Sequence, residues 1–110
     1  MRDREEIARA RRLREALDSL EFEREREAAL TRRLEDTIRD AESWRIDEVA
    51  LARMEAEDAD VLWQLGFPTK PPTEEARGRF EARLESLERD LDECRRRQKA
   101  YQAYADALSG

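Results

Sequence analysis

From residue 1 to residue 65 the chain contains neither glycine nor proline. Gly66, Pro68, Pro71 and Pro72 then fall together. Glycine and proline are the strongest local punctuation a backbone has. Their absence over so long a run, followed by this cluster, predicts two long helices joined by one turn over 66–73. Gly66 suits the left-handed residue that closes a helix. Phe67 follows where an apolar side chain commonly packs back on the last turn. Pro68 cannot continue the helix, and Pro71 and Pro72 stiffen the connection. Thr73 is the expected N-cap of the second helix, with Glu74 and Glu75 in its first turn, where the helix dipole favours acid.

The residue types agree. Charged residues make up 45% of the 110-residue chain and hydrophobic residues 39%, with alanine prominent among the latter. So few large apolar side chains do not fill a globular core. Composition rich in Ala, Glu, Leu and Arg, with a repeat near 3.5 residues, is that of coiled coils and long helices. In the second half, apolar residues fall at Phe80, Leu84, Leu87, Leu91, Cys94, Tyr101, Ala105 and Leu108. The steps alternate between four and three, with Gln98 filling the one gap, so a heptad helix is expected over roughly 74–108. In the first half, Leu13, Leu17 and Leu20 keep the same steps. The apolar set resumes at Leu30, Leu34, Ile38, Ala41 and Trp44, which calls for a stutter-like phase shift. Beyond lie Leu51, Met54, Val61, Leu62 and Leu65. Two softer break points interrupt this stretch, the capping-box sequence DSLE at 18–21 and the β-prone ESWRIDE at 42–48.

The expected fold class is therefore all-α: an elongated antiparallel helical hairpin, or coiled coil, with a long first helix. With a short turn near residue 70, facing residues have numbers summing to about 139. The acidic run 55–60 then faces Arg79 and Arg83, and the basic run 95–99 faces 40–44. Residues 31–110 form the hairpin, and residues 1–30 extend past it as a helical overhang. Seam positions are Leu34, Ile38, Leu51, Leu62, Phe80, Leu84, Leu87, Leu91 and Cys94. Trp44 is expected near Cys94 and Gln98, and Trp63 beside Phe67 and Phe80.

Chemistry-bearing patterns are sparse. The chain has no His and a single Cys at a heptad position, where it behaves as a small hydrophobe. No phosphate loop, nucleophile elbow or zinc spacing occurs. No catalytic, cofactor-binding or metal residue is assigned, and an enzyme is not expected. Residues 1–14 hold six Arg against three acids, but no continuous basic stripe runs along the chain, which disfavours nucleic acid as a partner. No apolar run is long enough for a membrane span, and no signal peptide is evident. A cytoplasmic setting follows as the default, with a host cytoplasm or a phage particle as equivalents.

What remains is protein–protein contact. An isolated amphipathic helix is marginal in water, so the overhang needs something to pack on. Self-association or partner binding is assigned to Ile7, Leu13, Leu17 and Leu20, together with the aromatics Trp44, Trp63, Tyr101 and Tyr104, since Trp and Tyr are enriched at binding hot spots. The leading expectation is a non-enzymatic structural, scaffolding or adaptor component of a homo- or hetero-oligomer. The alternative is a small regulatory inhibitor, for example a phage anti-defence protein, that blocks a target through its exposed helix.

Overall fold

The computed structural model describes residues 3–110. These form four helices and no strand: α1 (Arg4–Glu42), α2 (Glu48–Ala52), α3 (Ala56–Gln64) and α4 (Glu74–Ser109). α1 and α4 pair antiparallel, giving the all-α helical hairpin the heptads predict. Residues 1 and 2, and with them the start of the expected overhang, lie outside the described residues.

The first helix does not reach residue 65. It ends at Glu42, at the second of the two soft break points. Its last turn tightens, with Trp44 N–H donating to Ala41 O and Arg45 N–H to Glu42 O. The Ser43 hydroxyl donates to Asp40 O, drawing one of the last carbonyls out of the helical ladder. Asp47 is extended and caps α2, its carboxylate accepting from Ala50 N–H at 3.0 Å. After α2, Glu55 is extended again and α3 begins. DSLE breaks nothing and lies inside α1. An Asp–Glu capping pattern has no effect where the flanking residues all favour continuing the helix.

The glycine–proline cluster behaves as the sequence predicts. Gly66 has φ +92°. Phe67 N–H donates to Leu62 O and Gly66 N–H to Trp63 O, each at 3.0 Å, which is the paired bonding of a Schellman motif. Thr73 caps α4, its hydroxyl accepting from Ala76 N–H at 3.1 Å. Between them the loop folds back on α3: the Thr69 hydroxyl donates to Ala59 O, and Lys70 pairs with Asp60 at 3.3 Å.

The chain divides into two units. The first joins α1 up to Arg33 with Ser86–Gly110, and the second comprises Leu34–Glu85. In the first unit Ala16, Leu20 and Leu30 of α1 and Leu87, Leu91, Cys94 and Ala105 of α4 are buried. Cys94 meets Glu23, whereas a short-turn hairpin would set it near residue 45. The register differs because α2 and α3 occupy the stretch that was expected to extend the first helix. Leu51 and Leu62 therefore lie on α2 and α3 and not in a seam between two long helices. Ile38 is exposed, and Thr37 takes the buried position beside it. The expected charge matches also change. Asp60 pairs with Lys70, while Arg95 and Arg97 pair with Glu27 and Glu23.

Candidate protein-binding surface

Each unit carries one unusual set of side chains. In the first unit the seam contains a polar layer. Along α1 the inward positions run Ala16, Leu20, Glu23, Glu27, Leu30, with steps of four and three. Glu23, only 5% exposed, faces α4. The Cys94 thiol, 1% exposed, donates to Glu23 O at 3.0 Å and to the Glu23 carboxylate at 3.2 Å. Gln98 donates to the Glu27 carboxylate and to Glu23 O. Arg97 lies 3.7 Å from Glu23 and Arg95 3.6 Å from Glu27. Every polar group of this layer has a partner, as burial demands. Burial pushes the Cys94 thiol up from its ordinary range. The hydrogen bond to Glu23 and the nearby Glu23 and Glu27 carboxylates add to that, and only the Gln98 amide opposes it. A thiol kept protonated is a poor nucleophile, because the thiolate is the reactive form. The layer is suited to holding two helices together.

The second unit is built differently. Between Leu34 and Glu85 apolar side chains such as Trp44, Leu51, Leu62, Phe80 and Leu84 are only half-buried, and Thr37 is the one fully buried residue. Trp44 packs edge-on against Phe80, with ring centres 5.7 Å apart. Lys70 sits 5.7 Å from the Trp63 ring centre, within cation–π range. Trp44, Trp63, Phe67, Pro68 and Pro72 line an open cleft of about 650 Å³. Outside it, Val49, Val61 and Leu65 stand exposed, Leu65 to 69%, and Phe67 at its edge is exposed as well. Isolated exposed apolar residues are ordinary, but a concentration of them in one short segment marks a contact surface.

The residues assigned to association separate accordingly. Ile7, Leu17, Trp63 and Tyr104 are exposed. Leu13, Trp44 and Tyr101 are half-buried, and Leu20 is a seam residue. Trp44 meets Phe80 and not Cys94. The expected overhang is shorter too. With Cys94 against Glu23, facing residues sum to about 117 and the end of α4 at Ser109 falls opposite residues near Ala8, so most of residues 9–30 are paired and only the first turn of α1 extends beyond. Ala16, Glu23 and Thr37 were missed as inward residues; their signal was the unbroken four–three spacing, hidden because small and polar side chains occupy it. Val49, Leu65 and Phe67 were missed as surface residues because the first helix was expected to run through them or close to them.

Among the described residues no helix is long and apolar enough to cross a membrane, and no group of three or more Cys, Asp or Glu side chains is placed to hold a metal ion. No protein-family model matches the chain, and no match is found among curated proteins or solved structures.

Proposed function

We propose that this chain is a non-enzymatic assembly or adaptor protein. Its first unit is the rigid support, and its second unit is the surface that binds another protein chain. One observation carries this reading: Leu34–Glu85 folds into defined helices whose apolar side chains, Trp44, Leu51, Leu62 and Phe80 among them, are only partly buried, while Val49, Val61, Trp63, Leu65 and Phe67 face solvent. Short helices such as α2 and α3 are marginal without packing. A partner that covers them supplies the missing burial, at about 25 cal/mol per Å² of apolar surface removed from water. Trp and Phe are the residue types that dominate such contacts.

The test is native mass by light scattering across a concentration series, with hydrogen exchange on the same samples. The expected result is a mass that is a multiple of the 13.0 kDa chain, with amides of α2 and α3 gaining protection as the mass rises. A 13.0 kDa monomer in which α2 and α3 are as protected as the buried part of α4 would remove the basis of the proposal. The second unit would then be self-sufficient.

A further inference from the structure

The start of α1 and one exposed face of α3 are complementary in charge, and each carries aliphatic side chains beside its charges. Arg4, Ile7, Arg11 and Arg14 are spaced three, four and three residues apart, so they share one face of α1. All four are exposed, and that face points away from the seam residues Ala16 and Leu20. Among the described residues no ion pair reaches the three arginines. On α3 and its C-cap, Glu57, Asp58, Val61 and Leu65 share a face by the same spacing. They too are exposed, and neither acid has an ion pair among the described residues. One face is an aliphatic side chain set among three cations. The other is two aliphatic side chains beside two anions.

We infer that the second unit's partner is another copy of this chain, with the Arg4–Ile7–Arg11–Arg14 face of one copy docking on the Glu57–Asp58–Val61–Leu65 face of the other. The inference rests on the reading of the second unit as a protein-binding surface and names its occupant. The apolar residues exclude water at the centre, and the charges around them steer the approach and set the orientation. The two faces differ, so reciprocal docking between two copies gives an isologous two-fold dimer, whereas one-way docking is heterologous and builds a ring or filament. The short helix α3 gains cover, and the first turn of α1 with Arg4 and Ile7, past the end of α4, gains a neighbour.

The experiment uses full-length chains and native mass as readout. Arg11→Glu with Arg14→Glu forms one variant, and Glu57→Lys with Asp58→Lys the other. Each variant alone should show a self-dissociation constant raised at least about tenfold, since like charges then face each other. An equal mixture of the two should associate again, because each supplies the face the other now needs. Recovery in the mixture also shows that the acid-reversed variant still folds α3. Self-association of the unmodified chain should weaken as salt is raised. An oligomer indifferent to both reversals overturns the inference while leaving the binding reading intact. A monomer with unprotected α2 and α3 overturns it as well, since the partner is then a different protein. A monomer with well-protected α2 and α3 sinks both.

Discussion

The two units use the same residue types and reach opposite outcomes. In the first, two long helices bury Leu20, Leu30, Leu87 and Leu91 and a fully partnered polar layer. In the second, helices of five and nine residues are interleaved with extended residues and caps, and the apolar side chains are at most half-buried. The difference lies in continuity. A heptad stripe buries its apolar residues only while both helices continue alongside each other. Where α1 stops at Glu42, the seam stops with it. The second unit is then held by local devices: the Asp47 cap, the Gly66 closure, the Thr73 cap and the folding of Thr69 and Lys70 onto α3. The caps and hydrogen bonds contribute about 1 kcal/mol each, and the exposed Lys70–Asp60 pair less. A region held this way opens locally at low cost, which suits a segment that is to be completed by another chain.

The comparison predicts its largest contrast in side-chain truncation. Leu91→Ala, in the closed seam, should cost about 2–5 kcal/mol of global stability, through lost burial and the cavity left behind. Leu65→Ala, 69% exposed, should cost less than about 0.5 kcal/mol in the monomer while weakening association. Urea unfolding of both variants at a concentration too low for self-association measures this. Equal losses would mean that the second unit has a core of its own.

A smaller effect distinguishes the units by pH. The folded first unit holds the Cys94 thiol protonated above its ordinary range, chiefly through burial. Above about pH 8.5 the unfolded chain loses that proton and the folded chain retains it. The unfolded state then binds fewer protons, so stability falls as pH rises. The slope is at most about 1.4 kcal/mol per pH unit, the limit for a single proton. Urea midpoints between about pH 8 and about pH 9.5 should fall for the natural chain and stay nearly level for Cys94→Ala. Exchange rates in α2 and α3, corrected for base catalysis, should not follow the same trend. A Cys94→Ala variant with the natural chain's slope would place the proton elsewhere.

The same layer explains what was legible in the sequence. The α4 heptad is readable directly, because Phe80, Leu84, Leu87 and Leu91 are large and regularly spaced. The α1 heptad is equally regular but runs through Ala16, Glu23, Glu27 and Thr37. Large Leu17 and Ile38 sit one position from it and invite the wrong phase, which is why a phase shift appears necessary. The gap at Gln98 and the apparent break after Leu20 are one feature seen from two helices. Polar residues on α1 meet polar residues on α4, and a buried polar layer of this kind specifies register at a cost in stability. The Gly66 closure and the Thr73 cap are legible because their chemistry is local. The end of α1 at Glu42 is only half legible. It depends on Ser43, Asp47 and a few β-prone residues, none of which breaks a helix alone. The register follows from where that helix ends, so it could not be read from the pattern until the end was known. The exposed surface of the second unit depends in turn on the register.

The smallest prediction tests whether the second unit responds on its own. Gly66 and Gly78 both belong to it, and a Cβ at either position would meet no atom within 4 Å. The same substitution should nonetheless act in opposite directions. Gly66 has φ +92°, a conformation that disfavours an L side chain, so Gly66→Ala should destabilise by about 1 kcal/mol. Gly78 lies inside α4 with ordinary helical geometry, where alanine is favoured by about 0.5–1 kcal/mol. If the second unit opens separately, exchange in α3 should accelerate in Gly66→Ala and exchange near residue 78 should slow in Gly78→Ala. The amides around the buried Cys94 should remain unchanged in both. Should the Cys94 amides shift by the same factor as α3, the two units unfold as one cooperative body. Local opening of the second unit would then no longer account for its readiness to bind.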